Sequence, residues 1–133
     1  MAHWITFTYK NQKNIGIVDN DTIRVYSGDM FNQPTATGEK LSIDDVILLN
    51  PCNPSKIIAL WNNYKTLADE KGLSKPKNPL YLNKAISCIS EPNEDIIRPK
   101  SYNEAIFYEG ELGIVIGKLC KDIESDKSKD YIF

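Results

Sequence analysis

Apolar and polar residues alternate through the first 26 positions of this chain. "WITFTY", within the opening "MAHWITFTYK", has the period-two pattern of a strand. "NIGIVDNDTIRVY" continues the alternation in two arms around Asp19, Asn20 and Asp21 and predicts a β-hairpin that turns there. The next stretch, "SGDMFNQPTATGEK", is polar and rich in turn formers, which predicts a loop. Ser42 with Asp45 three residues on resembles a helix start, but "SIDDVILLNP" runs into Pro51, so it predicts one helical turn or a short strand. Pro51 and Pro54 in "NPCNPSK" bracket a rigid connection. They predict a division into a small β-rich N-terminal region, residues 1–52, and a second region, residues 53–133.

Beyond that connection the pattern changes to short apolar runs. "KIIALW" predicts a buried strand, broken by Asn62 and Asn63, and residues 66–71 predict a short helix closed by Gly72. A Pro-rich loop, "SKPKNP", leads to a strand, "LYLNKAIS", that carries Lys84. The polar connection "EPNEDIIRPKSYNEA" then runs into "FYEGELGIVIG", residues 107–117, read as another buried strand. The last segment holds a short polar helix candidate and ends on Tyr131, Ile132 and Phe133, the beginning of a further buried strand. The fold class predicted is mainly β with minor α.

Inside the apolar run at 107–117 stand two glutamates. On an extended strand Glu109 and Glu111 point the same way, flanked by Phe107, Gly113 and Val115, while Ile106, Tyr108, Leu112, Ile114 and Ile116 line the opposite face. Apolar residues on both faces suit a strand covered on both sides. Two anions taken out of water together repel each other, so burial requires a bound cation, a lysine or arginine, or a shared proton. A solvent-facing strand end with a lysine nearby satisfies the same spacing, and the pattern alone leaves both readings open. The same holds for Asn62, Asn63 and Tyr64, which suit either ligand contacts at a strand end or a hydrogen-bonded turn. Lys84 suits a substrate carboxylate, a partner for the glutamates, or an ordinary surface position.

Composition narrows the chemistry. The 133 residues, 41% of them hydrophobic, suit one domain with a modest core. Sixteen basic and 18 acidic residues are intermixed, for a net charge of −2, which offers no patch for nucleic acid or an anionic membrane. No apolar stretch approaches the roughly 20 residues that span a bilayer, and the N-terminus lacks a signal peptide's apolar block, so a cytoplasmic location is expected. Cys52, Cys88 and Cys120 are odd in number and widely spaced, which indicates neither a disulfide framework nor a zinc site. His3 is the one histidine, so acid and base chemistry falls to Glu, Asp, Lys or Tyr.

Taken in order and spacing, "PSKIIALWNNYKTLADEKG", "PKNPLYLNKAIS", "EDIIRP" and "FYEGELGIVIGK" resemble the fumarylacetoacetate hydrolase family over residues 54–133. The first 50 or so residues resemble the small β-rich region that many members carry ahead of that domain. The resemblance implies a mixed, mainly β fold that binds Mg²⁺ or Mn²⁺ and acts on 2-oxo or 2,4-dioxo acids, by C–C bond hydrolysis, decarboxylation or isomerisation through a metal-stabilised enolate. It implies Glu109 and Glu111 as metal ligands, Glu70 as the catalytic carboxylate, and Asn63, Tyr64 and Lys84 as substrate contacts.

The strand geometry is compatible with this, since the two side chains leave the backbone roughly 6 to 7 Å apart and can converge on one cation. Two departures from the family pattern stand out. Leu67 occupies the place of a histidine that pairs with the glutamate to activate water. The Gly-Tyr-Thr stretch and the aspartate that completes the metal site are absent. The expectation is an incomplete catalytic domain, a homodimer or one half of a pair with a complementing C-terminal fragment. The alternative is a catalytically inactive remnant that serves at most as a binding module.

Overall fold

The alternation of the first 50 residues becomes a five-stranded antiparallel sheet. In the computed structural model, which describes residues 2–133, the strands are β1 (His3–Tyr9), β2 (Gln12–Asp19), β3 (Thr22–Asp29), β4 (Asn32–Ser42) and β5 (Ile47–Leu49). They lie in the order β4-β3-β2-β1-β5. The first two hairpins are made by local chemistry. Lys10 and Asn11 both take positive φ, 48° and 61°, the two-residue turn whose twist matches antiparallel strands, and Asn20 takes φ 52° in the β2–β3 turn. That turn falls within the predicted residues 19–21.

One face of the sheet carries the core. Phe7 and Ile23 are fully buried with Val25 beside them, and Ile5, Tyr9, Val18, Leu41 and Leu48 pack around them. Gly16 lies beneath: a Cβ there would come within 2.6 Å of Ile23 Cγ2 and 2.7 Å of the Arg24 carbonyl oxygen. The chain passes from the β4 edge to the β5 edge through a 3-10 turn, Ile43–Asp45. The Ile43 N–H donates to the Asp21 carbonyl at 2.9 Å, and Ile43 and Val46 pack on the core. "SIDDVILLNP" is therefore both a helical turn and a short strand. The Thr6 hydroxyl, buried on the other face, donates to the Pro51 carbonyl at 3.0 Å and ties the connecting segment to the sheet.

The predicted loop at "SGDMFNQPTATGEK" is instead the end of β3, a tight turn and most of β4. An edge strand pairs on one side only, so it tolerates Pro34 and needs no apolar alternation. Its polar composition hid it. Its register against β3 shifts twice, between Arg24 and Tyr26 and between Ser27 and Asp29, and Gly38 within it takes φ +85°.

After Pro51 the structure thins. β6 (Ile57–Trp61) and β7 (Leu80–Lys84) form a two-stranded ribbon with Ile57 opposite Lys84 and Trp61 opposite Leu80. Between them lies α1 (Lys65–Glu70), closed by Gly72 at φ +62° as the sequence predicts. "KIIALW" is a strand but not a buried one, since Ile58, Leu60 and Trp61 are exposed. Among the described residues no third strand joins the ribbon. The predicted strand at 107–117 is not formed either. Phe107, Tyr108 and Leu112 are 83%, 95% and 83% exposed, and the ladder contact of this segment is a single bridge between Ile116 and Ile132. Alternating apolar residues make a chain suited to a strand, but only neighbouring strands supply the hydrogen bonds that make it one.

The predicted polar helix is a 3-10 segment, Ser125–Tyr131. The three cysteines are free. Among the described residues no helix is long and apolar enough to cross a membrane. The whole is mainly β with minor α, as the sequence predicts.

Candidate functional site

The residues singled out in the sequence fall around the end of β6. There Asn62 reverses the chain in the left-handed region, φ 55°, a conformation in which asparagine is less strained than most residues. Its side-chain amide donates to the Ser74 carbonyl at 3.1 Å. That bond closes residues 62–74 into a loop around α1. Within it the Leu73 N–H donates to the Ala68 carbonyl at 2.8 Å, and Ala68 is the one helix residue that is buried. The hydrogen-bonded turn expected from two adjacent asparagines is thus present, and it carries Tyr64 at the helix N-cap.

Tyr64 is half exposed, and its hydroxyl accepts a hydrogen bond from the Leu112 N–H at 3.4 Å. The β6 end and the acidic segment therefore meet, although 48 positions separate the two residues. A phenol that accepts keeps its own proton to donate. Glu109 and Glu111 stand just before this contact on the chain. Both are exposed, in a segment without ladder partners, so the desolvation that would force a cation between them is not present in this structure.

The remaining candidates are more dispersed. Glu70 ends α1 and is exposed, as are Asn63 and Leu67. Lys84 pairs with Ile57, whereas Tyr64 follows Trp61. Along the ribbon that places Lys84 roughly 13 Å of strand from the end where Tyr64 sits. The structure joins Tyr64 to the acidic segment and leaves Lys84 at the other end. A shallow hollow of about 310 Å³ lies elsewhere, lined by Lys13, Asn50, Cys52, Ile86, Ile89 and Glu91. Glu91 there accepts the Asn50 N–H at 2.6 Å, and none of the site candidates lines it.

The fit to a metal ion can be tested on these residues. Mg²⁺ takes about six oxygen ligands at close to ideal octahedral geometry. Among the described residues no three His, Cys, Asp or Glu side chains gather into a group that could hold an ion. Glu109 and Glu111 are suitable donors by chemistry, but by themselves they do not make a metal centre.

Comparison with known proteins places this arrangement. Residues 56–133 match the family model described as fumarylacetoacetate (FAA) hydrolase, C-terminal, and residues 2–51 match one described as Rv2993c-like, N-terminal. The chain belongs to the fumarylacetoacetate hydrolase family. Protein Rv2993c of Mycobacterium tuberculosis is 35% identical over 111 residues, which is 84% of this chain and 42% of that protein.

Two solved family structures share the fold. The 2-hydroxyhepta-2,4-diene-1,7-dioate isomerase of Mycobacterium marinum is 25% identical with a TM-score of 0.82, and the match covers 99% of this chain and 51% of that one. The 5-carboxymethyl-2-hydroxymuconate delta-isomerase of Mycobacterium smegmatis is 26% identical, with the same TM-score and the same coverage. The chain thus spans about half the length of the family structures it matches. The motif set read from the sequence lies within the matched span.

The contacts made by Phe31, Gly117 and Phe133 went unread in the sequence. Phe31 stands in a segment that looked like loop, yet Met-Phe between Asp29 and Asn32 is a two-residue turn between strands. The apolar terminus 131–133 was a visible signal, but its partner, 115–117, was not.

Proposed function

We propose that this chain forms the N-terminal portion of a fumarylacetoacetate hydrolase family enzyme that rearranges small 2-oxo or 2-hydroxydienoic acids. The observation that carries this reading is the match of 99% of the chain, at TM-score 0.82, to two isomerases of such acids. A 2-hydroxydienoate is the enol tautomer of an unsaturated 2-oxo acid, so its isomerisation removes the proton of the 2-hydroxyl, adds one to a carbon of the diene and consumes no water. That suits a chain with Leu67 where a water-activating histidine would stand. A leucine cannot relay a proton, but one carboxylate can take a proton and return it.

In this reading Glu70 is that carboxylate. The Tyr64 hydroxyl, which already accepts from Leu112, donates its own proton to a substrate oxygen. Asn63 contacts the substrate beside it. Lys84, at the far end of the ribbon, holds a second carboxylate of a dicarboxylic acid. Glu109 and Glu111 would be two ligands of a divalent ion, Mg²⁺ or Mn²⁺, that stabilises negative charge on an oxo acid when bound. Two carboxylates leave most of about six ligand positions to be filled from outside these residues.

The exposed apolar side chains of the ribbon and of residues 96–119 support the idea that a further part of the fold packs against them. We place the division between the β-rich N-terminal region, residues 1–52, and the partial catalytic domain, residues 53–133, at the proline connection. A cytoplasmic location fits the reading.

The test joins this chain to the complementary half of a family member and follows 2-hydroxydienoate and 2-oxo acid conversion by ultraviolet absorbance with Mn²⁺ present. Conversion is expected to fall at least about 100-fold in Glu109→Ala or Glu111→Ala, the loss typical of removing an electrostatic stabiliser. Absent conversion, or conversion indifferent to both substitutions, would leave the chain as a binding module.

A further inference from the structure

Along most of its length the acidic segment has no strand beside it, so individual contacts hold it. Tyr64 provides one at Leu112. The other lies at the end of the segment. The Gly117 N–H donates to the Tyr131 carbonyl and the Phe133 N–H donates to the Val115 carbonyl, both at 2.9 Å. They make a short antiparallel pairing centred on Ile116 and Ile132. Gly117 permits the close approach, since a Cβ there would stand 3.0 Å from Phe133 Cβ and 3.3 Å from its Cα.

Phe133 is half exposed but does not stand free. Its ring meets that of Phe31 edge-on, with centroids 4.5 Å apart and planes at 64°. Phe31 sits in the β3–β4 turn, where its N–H donates to Asp29 Oδ1 at 3.0 Å and the neighbouring Met30 is buried. A continuous run of contacts therefore leads from the N-terminal sheet through Phe31, Phe133 and Gly117 to the segment that bears Glu109 and Glu111.

We infer that the N-terminal sheet positions the acidic segment, with the β3–β4 turn acting through Phe31 as a brace on Phe133. An edge-on aromatic pair is worth more than its contact area alone, and a segment without ladder partners depends heavily on each contact it has. Phe31 is a positioning residue: it lies far from the carboxylates in sequence and acts on them through the 115–117 and 131–133 pairing. The functional side of this inference rests on the proposed role of Glu109 and Glu111, whereas the brace itself does not.

Amide hydrogen exchange on the full chain, read by NMR, tests the brace. Phe31→Ala is expected to speed exchange at Gly117 and Phe133 about fivefold, as the loss of one edge-on aromatic pair would. Ile23 and Val25 should keep their rates, and Phe31→Tyr should restore both amides. Gly117→Ala, whose Cβ would press on Phe133 without touching the sheet, should speed the Phe133 amide and change the ring-current shift of the Phe31 signals. Unchanged exchange at Gly117 and Phe133 in Phe31→Ala, or an unchanged Phe31 ring signal in Gly117→Ala, overturns the inference. Mn²⁺ is the functional probe: broadening of the Glu109, Gly110 and Glu111 signals should need several-fold more Mn²⁺ in Phe31→Ala than in the wild type. Wild-type signals indifferent to Mn²⁺ would remove the metal role of the two carboxylates, and the exchange rates would still judge the brace.

Discussion

Residues 2–51 and residues 56–133 are almost equally apolar in pattern, yet one forms a packed sheet and the other a ribbon, a single helix turn and a half and long extended segments. The strands β1 to β4 find their sequential partners within about 20 residues, through two-residue turns, and only β5 returns from farther along the chain to pair with β1. Phe7, Ile23 and Val25 are consequently buried. The C-terminal segments carry as many large apolar residues, but Ile58, Leu60, Trp61, Tyr81 and Leu82 of their two-stranded ribbon stay exposed, and such a pair is marginal in water. A strand is a relation between segments. Where both members are close in sequence the relation forms, and where no strand pairs among the described residues the same alternation stays exposed.

This contrast is easiest to break with matched substitutions. Phe7→Ala should cost about 3 to 5 kcal/mol, the cost of emptying a packed aromatic site, whereas Phe107→Ala should change stability by less than about 0.5 kcal/mol. Urea unfolding followed by circular dichroism measures both, and similar costs would mean that the acidic segment is buried in solution. When the chain is joined to a complementary half, Phe107→Ala should become the costlier substitution that a covered strand requires.

The glycines sharpen the comparison at smaller scale. Gly16→Val should destabilise by about 1 to 3 kcal/mol, because the added atoms meet Ile23 and backbone and the core must shift. Gly113→Ala, with nothing within 4 Å of a new Cβ, should fall within about 0.5 kcal/mol of the wild type. Thermal melts of the two variants side by side decide the matter. A more local effect concerns the loop that carries Tyr64. Asn62→Ala loses the bond to Ser74 and forces alanine into positive φ, for about 1 kcal/mol. Asn62→Gly removes the bond but not the conformation and should cost less, read as exchange of the 62–74 amides.

How far the site was legible follows the same division. The closing glycine of α1, the Asn62 turn and the two strands "KIIALW" and "LYLNK" needed only local chemistry, and all are present; that the two strands pair with each other is visible only in the structure. The motif "FYEGELGIVIG" marked the family, because order and spacing of residues survive without a folded partner. The covered strand expected around Glu109 and Glu111 did not form, since covering depends on segments that the pattern cannot supply. Strand β4 was missed for the converse reason: an edge strand with Pro34 and two register shifts carries no alternation to read.

Sequence alone therefore determined the first three strands, the turn at residues 19–21, the short helix and the family, all of which rest on contacts between near neighbours or on residue order. Tertiary structure alone decided that Tyr64 meets Leu112, that Lys84 lies at the opposite end of the ribbon, and that Phe133 reaches across to Phe31. Those contacts span 48 to about 100 positions, and closing loops of that length costs entropy that only the assembled fold repays.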